Sequence, residues 1–352
     1  MQTLLNLLAG VALLVWGTHI VRTGILRLYG GDLRRVLRKS VARNRFAAFA
    51  AGIGVTGLIQ SSTATALIVA AFAGQGLVTT TSALAVMLGA DVGTSIVTAV
   101  LSFDLSWLAP LLVFSGVVLF LARQATNVGR FGRILIGLGL ILFALQWIRV
   151  AAQPIVDAAG VKVLFASLTG DVLLDVLVAA LVTILCYSSL AVVLLVATLA
   201  HLGVISPAVA LGLVLGANLG SGALGMLSTL SSPPEARRVT LGNFLFKLIG
   251  CVIAIPLVEQ IQRLVERMAL NPSQEVVAFH VVFNLGIALA FTFWTERIAH
   301  VAERLLPAKP IEDDPAKPRF LDPSALDTPT LASSNAAREA IRIGDLGEQM
   351  RT

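Results

Sequence analysis

The chain has 352 residues, of which 57% are hydrophobic and only 13% are charged. Soluble globular proteins carry about 25% charged residues, so this composition excludes a water-soluble single domain. The 30 glycines and the low aromatic content of 6% favour closely packed membrane helices over a β-barrel with aromatic girdles. We therefore predict an all-α polytopic membrane protein.

The net charge of +6 comes largely from one segment, residues 22–45, which contains eight Arg and Lys residues and one Asp. A basic loop beside a membrane span indicates the cytoplasmic side, and we do not expect it to bind nucleic acid. Hydropathy predicts seven full spans, at residues 4–22, 77–101, 107–122, 134–150, 205–230, 239–257 and 277–298.

Two further apolar segments, residues 47–74 and 176–200, are interrupted in the middle by polar residues. The interruptions are Gln60-Ser61-Ser62-Thr63 and Tyr187-Ser188-Ser189. Each half has about 12 residues and reaches about 18 Å as a helix, which is short of the roughly 30 Å hydrocarbon core. Each segment is therefore predicted to be a re-entrant hairpin whose polar tip lies near the membrane midplane.

An internal duplication is indicated by a single fixed offset of 127 residues. This offset carries Thr56 to Thr183, Ser61-Ser62 to Ser188-Ser189, and the Gly-Ala-x-x-Gly of residues 89–93 to that of residues 216–220. The first copy is predicted to cross the membrane three times, and an odd number forces the second copy into the opposite orientation. The loop 151–175 is then external, and the C-terminal tail is cytoplasmic. The predicted units are inverted repeats at 1–127 and 128–237, two C-terminal spans at 238–300 and a tail at 301–352.

The two hairpin tips are predicted to meet near the midplane, where helix N-termini and hydroxyl groups can bind a small ion. The alternative is that the hydroxyl groups bond the backbone carbonyl one turn back. A second paired element, residues 89–95 and 216–222, lies inside two spans, and its glycines are predicted to unwind each helix and expose carbonyls to a cation. A polar kink packed against another helix is the alternative for this element.

Asp91 is the unusual residue of this second element, because a carboxylate inside a membrane span is costly unless it is neutralised. No Lys or Arg lies between Arg45 and Arg123, so the local sequence offers Asp91 no positive partner. We therefore expect a bound cation or a proton at this carboxylate.

At these residues the sequence resembles the sodium/phosphate cotransporter family, whose members carry two inverted Gln-Ser-Ser-Ser hairpins. The resemblance covers residues 4–300 and includes Gln60-Ser61-Ser62-Thr63-Ala64, the stretches 89–95 and 216–222, and the segments 243–247 and 280–284. The sequence departs from the family pattern at Thr63, Tyr187, Leu190 and Asp91, where the family pattern has Ser, Gln, Ser and Asn. Residues 320–340 resemble the junction at which bacterial members continue into a PhoU-like domain.

The resemblance implies sodium-coupled transport of inorganic phosphate by alternating access, in the bacterial inner membrane and with no organic cofactor. It implies phosphate binding by Gln60, Ser61, Ser62, Thr63, Ser188, Ser189 and Asn218. Sodium ligands are then expected at Thr56, Asp91, Thr94, Ser95, Thr183 and Ser221. The lipid bilayer is an expected partner, and a homodimer is a further option. Another small anion, an ion channel and a phosphate sensor are the alternatives, whereas an enzyme is not expected because no histidine lies in a seryl-linked motif.

Overall fold

The computed structural model describes residues 2–103, 105–156, 171–268, 270–307, 318, 320–321 and 329–349. The described residues are helical, and none of them lies in a strand. The helices are α1 (Gln2–Arg43), α2 (Arg45–Ile59), α3 (Ser62–Gly74), α4 (Thr80–Ser102), α5 (Ala109–Ala122), α6 (Asn127–Val156), α7 (Val172–Cys186), α8 (Ser189–His201), α9 (Pro207–Ser228), α10 (Pro234–Ala254), α11 (Val258–Glu266), α12 (Pro272–Phe291), α13 (Thr295–Leu305) and α14 (Pro329–Gln349).

Six helical segments within the described residues are long and apolar enough to cross a membrane. They are Gln2–Arg43, Thr80–Ser102, Asn127–Gln153, Pro207–Ser228, Pro234–Glu266 and Pro272–Phe291. The prediction of an all-α polytopic membrane protein is therefore confirmed. The predicted span at 107–122 differs, because the apolar helix there runs only from Ser106 to Ala122 and is shorter than these six.

The N-terminal helix extends further than the sequence predicts. The basic segment 22–45 was expected as a loop, but α1 continues as one helix to Arg43. Leu33, Leu37 and Val41 are buried along it at a spacing of four residues, which gives this basic stretch one apolar helical face. The expectation of a loop fails because Arg, Lys and Leu are all strong helix formers, so positive charge does not interrupt a helix.

Both polar interruptions form tight turns between two short helices, as the hairpin prediction requires. Gln60 ends α2 with φ 59°, and Tyr187 ends α7 with φ 53°, so both adopt the left-handed conformation. The next residues, Ser61 and Ser188, are the N-caps of α3 and α8. In the first hairpin the Thr56 and Thr65 hydroxyl groups lie 2.7 Å apart and join its two arms.

The glycines of residues 89–95 and 216–222 serve close packing. The helices α4 and α9 run unbroken through these segments, so the predicted unwinding and the exposed carbonyls are wrong. A Cβ at Gly89 would collide with the Phe49 carbonyl oxygen, and one at Gly216 would collide with the Val176 carbonyl oxygen. The missing side chains let α2 lie directly against α4 and α7 against α9.

The bases of the two hairpins lie at opposite ends of α4. The first hairpin ends at Gly74, and a connection of five residues, 75–79, leads to the first turn of α4. The second hairpin ends at His201, which lines a cavity of about 660 Å³ together with Ser102 in the last turn of α4. Since α4 has 23 residues, its ends are about 33 Å apart. This arrangement is what two hairpins entering from opposite faces would produce.

Residues 1–307 form one compact unit, and residues 308–352 form a second one. The predicted boundaries at 127 and 237 fall inside the first unit and stay predictions. Most of the predicted external loop 151–175 and most of the predicted proline-rich tail lie outside the described residues. The described part of the second unit includes α14, where the Glu339 carboxylate accepts a hydrogen bond from the Phe320 amide at 2.9 Å.

Candidate substrate and ion site

Both hairpin tips line one cavity of about 650 Å³. Gln60 and Ser61 come from the first tip, and Tyr187 and Ser188 come from the second. The remaining wall includes one face of α1, from Leu8 to Arg22. The structure therefore brings the two predicted tips together, although their sequences are far apart.

The tip hydroxyl groups have matching roles in the two hairpins. The Ser61 oxygen accepts a hydrogen bond from the Ala64 amide at 3.2 Å, and the Ser188 oxygen accepts one from the Ala191 amide at 3.2 Å. Each oxygen acts as an N-cap acceptor, which leaves the hydroxyl hydrogen available to donate to a guest in the cavity. Two helices thus begin at this cavity, and helix N-termini favour negative charge.

Gln60 differs from its counterpart Tyr187 in burial. The Gln60 side-chain oxygen is buried and has no hydrogen-bond partner among the described residues. Tyr187 is 59% exposed. A buried amide without a partner is costly, and a polar guest in the cavity would satisfy it.

Arg22 is a cavity residue that the sequence analysis assigned only to membrane topology. It lies on α1 beside His19, with 3.1 Å between the Arg22 Nη2 and His19 Nδ1 atoms, and both residues line the cavity. A guanidinium group can bind an oxyanion through two parallel hydrogen bonds. The available signal was the helical spacing of Thr18, His19 and Arg22, which places them on one face once α1 is known to continue.

A buried ion pair lies behind the tips. The Lys247 Nζ atom on α10 is 2.8 Å from the Asp91 Oδ1 atom on α4 and donates to the Ser221 hydroxyl oxygen on α9 at 2.6 Å. Ser62, the first residue of α3, also hydrogen-bonds the Asp91 carboxylate. Lys247 is 1% exposed and Asp91 is 5% exposed. The expectation that Asp91 has no positive partner is therefore wrong, since it considered only neighbours along the chain.

The position equivalent to Asp91 in the second repeat has a different partner. The Asn218 side-chain nitrogen lies 3.1 Å from the His280 Nδ1 atom, and the Asn284 side-chain nitrogen lies 3.2 Å from the same atom. His280 is buried, and its Nε2 atom has no hydrogen-bond partner among the described residues. The two equivalent positions thus contact the two C-terminal helices α10 and α12, through Lys247 and His280.

The other predicted sodium ligands have divided roles. The hydroxyl groups of Thr94, Ser95 and Ser221 donate to backbone carbonyls one turn back, as the alternative reading proposed. Their oxygen lone pairs can still accept a cation. Thr183 is buried and has no partner among the described residues, because Val192 stands where the first repeat has Thr65.

The structure thus divides the predicted binding residues among several places. Gln60, Ser61 and Ser188 line the cavity, whereas Ser62 joins the buried ion pair. Thr63 and Ser189 are half-buried in the first turns behind the tips, and both lie outside the cavity lining.

The chain is similar to a known family of membrane transporters. The family model described as Na+/Pi-cotransporter matches residues 13–150 and 154–293. This match to a transporter family agrees with the expectation that the chain is not an enzyme. No solved structure matches the chain.

Curated relatives match nearly the whole chain. It is 54% identical over 350 residues to the "Putative inorganic phosphate export protein YjbB" of Salmonella typhimurium strain LT2. It is 52% identical over 350 residues to the protein of the same name from Escherichia coli K12. These alignments cover 99% of this chain and 64% of each relative, so the chain spans under two thirds of their length. An "Uncharacterized protein YqeW" of Bacillus subtilis is 24% identical over 311 residues, which are 88% of this chain and 100% of that protein.

Proposed function

Because the chain belongs to the Na+/Pi-cotransporter family, we propose that it moves inorganic phosphate across a membrane by alternating access, with sodium as the coupling ion. The observation that carries the proposal is the single cavity lined by both hairpin tips and by Arg22. The relatives' printed name adds export as a direction of flux for those proteins. We extend phosphate transport and that direction to this chain as part of the proposal.

The cavity chemistry supports an oxyanion as the guest. It combines the positive charge of Arg22, the hydroxyl groups of Ser61 and Ser188, and the N-termini of the two helices that follow them. Charge-assisted hydrogen bonds from guanidinium and dipoles from helix ends both favour a tetrahedral anion over a cation. Phosphate is the anion that the family name indicates.

Sodium is proposed to bind oxygen atoms near this cavity. The hydroxyl groups of Thr56, Thr94, Ser95, Thr183 and Ser221 remain the proposed sodium ligands. Thr183 is the strongest member of the set, because its buried hydroxyl group has no partner among the described residues.

Alternating access is proposed to follow from an inverted repeat, with one hairpin entering from each face. The hairpin bases at opposite ends of α4 support this proposal. In this arrangement the basic C-terminal half of α1 and the C-terminal tail lie on the cytoplasmic side of a bacterial inner membrane.

Flux of labelled phosphate in proteoliposomes tests the proposed function. Vesicles with and without the protein are compared under an imposed sodium gradient, under none, and with sodium replaced by choline. Protein-dependent flux that follows the sodium gradient supports sodium coupling, and competition by arsenate or sulfate defines the anion. Sodium-independent flux that saturates with phosphate retains transport and removes the coupling. Flux of phosphate that never saturates indicates a channel, and binding without flux indicates a sensor; either outcome overturns the proposal.

A further inference from the structure

We propose that the Lys247 ammonium group takes the place of a free cation at Asp91, so that this site holds a tethered charge where a sodium ion would otherwise bind. The inference rests on the proposed function only for its consequence in coupling. It replaces the expectation that Asp91 itself binds the coupling cation.

The ammonium group sits among oxygen atoms from both repeats. Its nitrogen lies 2.8 Å from the Asp91 carboxylate and 2.6 Å from the Ser221 hydroxyl oxygen. By the offset of 127 residues, Ser221 is the equivalent of Thr94, so the two ligands come from opposite copies of the predicted repeat. A position between repeats near the midplane is where transporters of this architecture hold coupling ions.

Burial makes some cation at this point necessary. Both charged side chains lie almost entirely inside the protein. An isolated carboxylate in such surroundings is strongly disfavoured, so Asp91 needs a positive charge or a proton. Lys247 supplies the charge from the same chain, and a tethered ligand competes at a high effective concentration against a free ion.

The second repeat supports the same assignment by contrast. Asn218, which is equivalent to Asp91, is neutral, and its nearest ionisable partner is His280. The buried carboxylate and the buried ammonium group therefore occur together in the first repeat. The asymmetry is expected if Lys247 neutralises Asp91 in place of a free ion.

The consequence concerns the coupling of phosphate movement. An inward sodium gradient drives symport inward, whereas export of an anion is favoured by a membrane potential that is negative inside. A cation that is part of the chain remains with the protein through the transport cycle. Phosphate flux through this protein is then less dependent on sodium than a transporter with a free ion at Asp91 would be.

Sodium binding to the full-length chain tests the inference without any phosphate. Thermal unfolding is measured in detergent with increasing sodium chloride, and with choline chloride at the same ionic strength. The proteins compared are the wild type, Lys247→Met, and the double variant Asp91→Asn/Lys247→Met. Methionine keeps the apolar stem of the side chain and leaves Asp91 without its cation.

We expect Lys247→Met to gain a sodium-dependent rise in its unfolding midpoint that the double variant lacks, because sodium then fills the vacated position. Equal sodium responses of the single and double variants overturn the inference. Lys247→Gln is a second single variant, in which an amide can still donate to Asp91. If both single variants fail to fold in sodium while the double variant folds, sodium does not replace the ammonium group, and the inference is also overturned. Wild-type phosphate flux is measured separately, so failure of the proposed function is distinguishable.

Discussion

Gln60 and Tyr187 adopt the same left-handed backbone conformation, with φ 59° and 53°, at positions separated by 127 residues. A non-glycine residue in this conformation costs roughly 1–2 kcal/mol, so the turn is imposed by the helices on either side. Gly76 and Gly203, the same distance apart, both have φ 69° after the second arm of each hairpin. The shared backbone conformation places a seryl N-cap at the cavity twice.

Replacing Gln60 by Gly should weaken phosphate binding without loss of folded protein. Glycine accepts the left-handed conformation, so the hairpin turn is kept while the amide is removed. A lost hydrogen bond to a buried partner corresponds to about 1–3 kcal/mol, or about five- to 150-fold in affinity. Phosphate binding by calorimetry gives the change, and Tyr187→Gly is the matched control for the turn. Unchanged affinity in Gln60→Gly would remove the first tip from the binding site.

Arg22→Ala should reduce phosphate affinity more than an equivalent change at an exposed arginine of the same helix. A hydrogen bond to a charged group contributes about 1.5–3 kcal/mol, which is about 10- to 150-fold in affinity. Arg38 is exposed on α1 outside the cavity lining, so Arg38→Ala is the control. Concentration dependence of phosphate flux measures both variants. An equal small effect of the two changes would assign Arg22 to membrane topology alone.

Asp91→Asn should destabilise the protein, because it leaves the Lys247 ammonium group buried without its carboxylate. Breaking one partner of a buried ion pair costs about 3–5 kcal/mol. Adding Lys247→Met removes the remaining charge and should restore much of the lost stability. Thermal unfolding of the two variants in the same detergent measures both effects. A stable Asp91→Asn variant would show that the ion pair does not hold α4 and α10 together.

Gly89→Ala should disturb the packing of α2 on α4. The new methyl group would meet the Phe49 carbonyl oxygen, and overpacking of this kind costs about 1–3 kcal/mol. Gly57 on α2 has open space around it, so Gly57→Ala should be neutral or stabilising by about 0.5–1 kcal/mol. Unfolding midpoints of the two variants give the comparison. Equal midpoints would mean that the helices separate at little cost.

Cysteines at the two hairpin bases should react with impermeant thiol reagents from opposite faces of the membrane. Gln75 and His201 are both exposed and follow the second arms of the two hairpins. The tips themselves are poor probes of orientation, since Ser61 and Ser188 line the same cavity. The background lacks Cys186 and Cys251. Labelling of Gln75→Cys and His201→Cys from a single face would exclude the inverted arrangement.

The hairpins were predictable from sequence because their cause is local. Two apolar halves that are too short to span the membrane and a polar interruption between them leave few other folds. The ion pair was not predictable in this way, because Lys247 lies on a helix far along the chain from Asp91. Gly89 and Gly216 show a second limit, since glycine is compatible both with an unwound helix and with a close helix contact. Only the facing helix decides between these two outcomes.

The pair formed by Thr56 and Thr65 makes the two hairpins mechanically unequal. Opening the first hairpin breaks a hydroxyl hydrogen bond of 2.7 Å between its arms. Val192 offers Thr183 no such bond, so the arms of the second hairpin are held at this level by dispersion forces alone. A structural change that separates the arms is therefore easier in the second hairpin, which makes it the softer of the two gates around the cavity.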